Sequence, residues 1–485
     1  MKKNMLWIAL AALIIPALVR GFWFYKGFPN RPEIATPDYQ AFTLSQLPLE
    51  SPLGLEDIKQ TKGVVLLDFS HANQYQSSEV QSLKEAMEKR GGLVETLTDA
   101  TLLELKLKYA SAYIVISPSL AFSAAEARIV QTFVERGGRL LVFADATRGL
   151  IYYDYFSGAT IVTSDASAAN PLLAPFGITI SNDYLYNVEE NEGNFRNVFF
   201  SDFGKDELTF GLQQVALYGT HSVKSPSGLI LLRGTESTLS SIGDAHDPAE
   251  GGAALSGNGN VIAFGDFTFL STPYQNAADN NTLIANLADF ALGGKQTPTL
   301  ANFPYIFTQS IVKVYPSSEV KLTAETISAI SKLQLALRSV NINIEITDEA
   351  PRNGDALILG TFTPSDDLLN FIKPFNIELD DSSESEYIAV PNFGDVGRFG
   401  NGILLFKSNK TGNTLTLLAD TPEDLIILLD TVSSGSLSGC VLLGDIGVCS
   451  VGSGGSYSED TGDGTATEEP TSSETSPTPA PTPSG

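Results

Sequence analysis

Asp68, His71 and Asn73 crowd into "GVVLLDFSHANQY" (63–75), directly after an apolar run suited to a buried strand. A carboxylate and an imidazole three positions apart are a minimal set for general acid–base work. Similar polar residues follow other apolar runs. Ser117 opens "SPSLAFS" (117–123), Asp145 and Arg148 stand in "FADATRG" (143–149), and Asp266 and Thr268 stand in "FGDFTF" (264–269). Brought together, Asp68, His71, Asp145 and Asp266 would offer oxygen and imidazole donors to a metal ion. Each of these residue types is also an ordinary cap or turn former where a strand ends. A lone histidine there more often ties loops together than acts as a base, and Arg148 has Asp145 or Asp68 as an expected ion-pair partner.

Other chemistries lack their residues. A cysteine hydrolase or glutamine amidotransferase needs a thiolate on the sharp turn after a sheet strand, yet the only cysteines are Cys440 and Cys449. There is no G-x-S-x-G elbow, dinucleotide fingerprint, P-loop or H-E-x-x-H pair. "GDVGRFGNG" (394–402) is glycine-rich but belongs to a loop, and "GDAHDPAEGG" (243–252) lacks calcium-loop spacing. Glu189, Glu190 and Glu192 are acidic enough for glycoside hydrolysis, but nothing in their spacing fixes a separation. No catalytic residue, cofactor or metal is therefore assigned.

The elements that would position the cluster are legible from periodicity. Strands are expected at 63–68, 93–97, 112–116 and 139–143, and helices at 78–90, 101–109 and 124–136. Ser78 with Gln81 and Ser123 with Glu126 have capping-box spacing, while Gly91-Gly92 and Gly137-Gly138 stand where helices should stop. Such alternation predicts a flavodoxin-like, mostly parallel sheet with helices on both faces. If its order is 2-1-3-4, the reversal falls between the strands ending at Asp68 and Ile116. Asp68, His71, Asn73, Ser117, Asp145, Arg148, Asp266 and Thr268 would then line a shared crevice at the carboxyl edge. Residues 150–260 read as less regular decoration, with strands expected near 178–180, 215–218 and 228–233 and a hairpin turning at Asn258-Gly259 before strand 261–264 and helix 281–292. The first domain is set at 61–295. A second, smaller α/β domain follows at 303–450, from strand 311–315 to helix 421–432.

Residues 1–25 combine Lys2 and Lys3, an apolar run to Val19, and the aromatic group Phe22 to Tyr25. This segment is a signal-anchor or transmembrane helix, with a cleaved signal peptide as the alternative. The lysines place the rest of the chain outside the cytoplasm. Residues 26–60 form a proline-rich spacer, and 451–485 read as a disordered Ser/Thr/Pro/Glu tail. Export favours a disulfide between Cys440 and Cys449. Asn280 and Asn409 stand in N-x-T sequons. A formal charge of -26 repels phosphate backbones, so nucleic acid is not an expected partner, and the missing fingerprint and P-loop make nucleotide an unexpected one as well.

"VLLDFSHANQY", "FVERGGRLLVFADATR", "FGITISNDYLYNVEENEGNFRNVFF", "LYGTHSV" and "VIAFGDFTFLSTPYQNAADNNTLIANLADFALGG" together resemble an exported prokaryotic family known only as a domain of unknown function. That family lies in the class I glutamine-amidotransferase-like superfamily, near GldG-type auxiliary proteins of gliding-motility transporters. The likeness spans about 63–294. It implies an amidotransferase-like domain without its nucleophile, serving in binding or assembly, with no functional residue to carry across. The 303–435 stretch is loosely similar to modules of surface-layer and polysaccharide-export proteins. The resulting expectation is a membrane-anchored, non-catalytic component of the cell envelope that meets an envelope protein or glycan. The rival expectations are a metal-dependent or carboxylate-based hydrolase of envelope glycans and a solute-binding accessory of a transporter.

Overall fold

A computed structural model describes residues 2–26, 61, 63–156, 158–379, 385–435, 437 and 439–452. The spacer beyond Lys26 and the tail beyond Gly452 lie outside the described residues.

Four short strands head the first sheet: β1 (Val64–Asp68), β2 (Leu93–Leu97), β3 (Ala112–Ile116) and β4 (Arg139–Phe143). They lie in the order β2-β1-β3-β4, all parallel, with Val65 beside both Val94 and Ala112. The strand Val261–Phe264 continues the parallel set beside β4, and Glu250–Leu255, Leu229–Arg233 and Asp202–Phe203 extend it antiparallel. β3 and β4 are buried on both faces, which is why their sequences are continuous apolar runs rather than alternating ones.

The helices divide between the faces. After α1 (Lys2–Lys26) come α2 (Gln81–Lys89), α3 (Leu103–Leu107), α4 (Ala124–Glu135), α5 (Asp165–Leu173) and α6 (Asn280–Leu292). Leu83 and Met87 of α2 and Leu283, Ile284 and Leu287 of α6 pack with Val65, Ile114 and Phe264 on one face. Leu107 of α3, Phe133 of α4 and Leu172 of α5 pack with Leu66, Tyr113 and Val142 on the other. The Ser123–Glu126 capping box forms at α4, but Ser78 and Gln81 do not cap α2. Instead Glu79 accepts from the backbone N of Gln76, so the chain turns at 76–79 and α2 starts at Gln81.

The irregular stretch holds more structure than its sequence suggests. A separate hairpin, β5 (Gly149–Asp154) with β6 (Ala159–Ser164), leads straight into α5. The expected strand 215–218 pairs with 197–200, and 185–187 with 238–240, giving two further short antiparallel pairs.

The second sheet runs in the order Asn343–Ile346, Ile311–Pro316, Asp355–Thr361, Gly412–Ala419, Asn401–Asn409, Ile446–Ser450, Cys440–Leu443. Its first four strands are parallel and the remainder antiparallel. Separate cores flank it, one built on Ile330, Leu333 and Leu428 and the other on Leu368 and Ile372. The disulfide Cys440–Cys449 joins directly opposed residues of the last hairpin. The glycine-rich 394–402 stretch contributes the strand Gly394–Gly397, paired with Tyr387–Val390.

Helix α1 carries an apolar 18-residue window, Trp7–Phe24, with mean hydropathy 1.9, long and apolar enough to cross a membrane. Two cis peptide bonds, Thr272–Pro273 and Phe303–Pro304, occur among the described residues.

Candidate functional site

The expected residues do collect at the carboxyl edge of the first sheet, but they do not line an open crevice. Asp68, Ser117, Asp145 and Asp266 are each 0% exposed, and His71 is 4% exposed. The reason lies in the loop after β1, which crosses the reversal point and bonds to the end of β3. Asn73 Nδ2 donates to the Ile116 carbonyl at 2.9 Å, and Gln74 N donates to the Ser117 carbonyl at 2.8 Å. In return Ser119 and Leu120 donate their backbone N–H groups to the His71 carbonyl. Ala72, at φ 49°, makes the tight turn between them. The crevice is filled by the chain itself.

The eight residues fall into separate groups. Asp68 Oδ2 lies 2.9 Å from His71 Nδ1, and Asp68 Oδ1 accepts from the Ser70 hydroxyl at 2.7 Å. Phe122 stacks on the imidazole at 3.7 Å between ring centres. His71 Nε2 is 3.4 Å from Glu126 Oε1, close enough for an ion pair but too poorly aligned for a hydrogen bond. Burial pushes the His71 imidazole down, but the hydrogen bond to Asp68 and the charges of Asp68 and Glu126 outweigh it, leaving its pKa raised. Glu126 thus links the α4 cap to the histidine, a second role that capping-box spacing alone does not reveal.

Ser117 sits beyond β3 with φ 42°, a left-handed conformation rare for a side chain other than glycine. Its hydroxyl donates to Asp165 Oδ2 at 2.7 Å, where Asp145 N also donates at 2.8 Å. Asp165 Oδ1 lies 3.2 Å from His221 Nε2, and His221 Nδ1 lies 2.7 Å from the Asp183 carbonyl. Asp165 and Asp183 come from the irregular stretch, and no motif in their sequence marks them.

Asp145 and Asp266 form the third group. Asp145 Oδ2 accepts from Thr268 Oγ1 at 2.7 Å, and Asp266 accepts from Thr268 N at 2.7 Å and Tyr218 N at 2.9 Å. Burial, and then the charge of Asp145, hold the Asp266 carboxyl well above the usual carboxylate range; burial also raises Asp145. Arg148 pairs with neither Asp145 nor Asp68. It bonds Glu79 and lies over the Phe267 ring at 5.0 Å.

Among the described residues no group of three or more His, Cys, Asp or Glu is arranged to hold a metal ion. The four suggested donors are split into Asp68 with His71 and Asp145 with Asp266, with β3 running between the two pairs. Asp247 and Glu250 of the 243–252 segment both pair with Lys224. Asn280 of the first sequon is 0% exposed, its side chain bonded to Ala216 N and O and the Tyr274 carbonyl; only Asn409 stands at the surface.

Residues 80–288 match the model of a family described as "Domain of unknown function (DUF4350)". No curated protein matches the chain. Among solved structures, "mmIFT52 N-terminal domain" is 16% identical, covering 48% of this chain and 99% of its own, with a TM-score of 0.38. A ThuA-like protein from Bacteroides uniformis is 14% identical over 50% of this chain and 94% of its own, at TM-score 0.28. PurLQS from Thermotoga maritima is 9% identical over 47% of this chain and 99% of its own, at TM-score 0.25. Likenesses at these scores carry no conclusion about this chain.

Proposed function

We propose that this chain is a membrane-anchored, extracytoplasmic binding or assembly component of the cell envelope, acting without catalysis on an envelope protein or glycan. The single observation that carries the reading is the saturation of the carboxyl edge: the groups best suited to chemistry are buried and bonded to one another. Ser117 supports it most directly. It stands on a strained turn after a central strand, where a nucleophile would need an exposed oxygen, yet its hydroxyl is buried and donates to Asp165. The apolar helix α1 and the Cys440–Cys449 disulfide support anchoring and an oxidising compartment. A class I amidotransferase-like ancestry fits the same picture, as a scaffold kept after its reaction was lost.

Thermal melting of the full chain across amino acids, other small non-sugar solutes and divalent metals tests the reading. Flat curves are expected. A solute receptor or metalloenzyme would instead gain about 2.7 kcal/mol at a hundredfold excess of ligand over Kd, and such a saturable shift would overturn the proposal. Location is checked separately, by labelling an Arg128→Cys variant in intact cells with a membrane-impermeant maleimide. Labelling is expected, and protection would put the body on the other side.

A further inference from the structure

We propose that the hairpin β5–β6 is a membrane-contacting element, whose aromatic tip lies in the interfacial layer of the bilayer that holds α1. The tip presents Tyr153, Tyr155 and Phe156 at 53%, 89% and 103% exposure, with the two tyrosine rings 5.2 Å apart edge to face. The segment 149–164, "GLIYYDYFSGATIVTS", has Asp154 as its sole charge, in a chain that is 18% charged. Its run Leu150-Ile151-Tyr152-Tyr153 lacks the polar alternation of a strand with one wet face. A two-stranded hairpin is marginal in water by itself, so an apolar layer at its exposed aromatic tip would stabilise it.

Three observations favour a bilayer as that layer. The chain carries its own span, and tyrosine and phenylalanine repeat at the hairpin tip the chemistry of Phe22 and Tyr25 at the end of α1, the types that settle at headgroup depth. The segment has no basic residue, which suits a zwitterionic interface better than an anionic partner. Reach is sufficient as well. β5 leaves the carboxyl edge while β1 begins at the amino edge, and a 34-residue stretch such as 27–60 could span at most about 110 Å. A domain of this size measures roughly 45 Å across. Tethering raises the local concentration of the tip at the membrane, so weak contacts suffice.

The inference rests on the anchor reading, and the test separates the two. The full chain with Phe156→Cys is nitroxide-labelled and reconstituted into phosphatidylcholine liposomes; both native cysteines are already paired with each other. Arg128→Cys on α4 serves as the control. Flotation with the liposomes reports the anchor, and a chain that fails to float overturns both readings. With flotation secured, the ratio of oxygen to nickel-chelate collision rates at 156 is expected to exceed that at 128 several-fold. Equal ratios overturn the hairpin proposal while leaving the anchor standing, and dipolar broadening between labels overturns it in favour of a second copy of the chain. Because a substitution at 156 could itself weaken insertion, amide exchange across 150–163 is also measured in the unsubstituted chain. Slower exchange in liposomes than in amphipol is expected, and equal exchange overturns the proposal.

Discussion

His71 and the Asp145–Asp266 pair make stability depend on pH in the same direction. A raised histidine pKa stabilises the fold fully below the unfolded value of about 6.5, and that contribution disappears as pH climbs through the higher folded value. A raised carboxyl pKa also favours the fold at low pH, fully below about 3.9, and the advantage is lost as pH rises toward the folded value. His71→Gln should therefore flatten the fall in Tm as pH rises above about 6.5, and Asp266→Asn should flatten it as pH rises above about 3.9; melting curves of each variant across pH check both. His71→Ala should cost about 3 kcal/mol near neutral pH, because buried Asp68 loses the imidazole that pairs its Oδ2 and keeps only the Ser70 hydrogen bonds to its Oδ1. Asn280→Ala strips partners from Ala216 and Tyr274 and should cost on the order of 2–3 kcal/mol. In a glycosylating host, mass spectrometry should find glycan at Asn409 and none at Asn280.

At the scale of elements, β1 to β4 and α4 were legible because each carries one clear period and one clear stop, as with Ser123–Glu126 and Gly137. The strand order 2-1-3-4, which the sequence supports only as one of the orders right-handed crossovers allow, is the one the structure adopts. What stayed hidden was the fate of the edge. Asn73 and Gln74 look like rim residues in the sequence, and only their bonds to Ile116 and Ser117 make them a plug. Hairpin β5–β6 was missed because its strands do not alternate, and α5 because Pro171 breaks its helical signal. The long-range partners Asp165 and His221 lie 56 positions apart, beyond any local pattern. Gly265 shows how closely these segments meet: a Cβ there would lie 2.0 Å from the His221 carbonyl oxygen. Gly265→Ala should cost about 3 kcal/mol or more, measured by denaturant unfolding.

Over the whole molecule, the two sheets have separate cores joined by a segment that serves both. Gln296 and Asn302 bond to the backbone of residues 107–110, while Leu300, Phe303 and Ile306 enter the core of the second unit. Calorimetry of the full chain should resolve two transitions. Replacing both cysteines by serine should lower the second unit by about 2–3 kcal/mol, the chain-entropy value for so short a loop, and leave the first transition in place.

Gly63, where the first unit begins, and Leu292, near where it ends, are neighbours: a Cβ on Gly63 would sit 3.4 Å from the Leu292 side chain and 2.9 Å from Ser111 Oγ. The intervening chain is thus a closed loop with a narrow neck at the amino edge. If α1 anchors the chain as proposed, tension between α1 and the second unit would be carried across that neck, much as a load passes the knot of a noose, and the opposite rim would keep its shape.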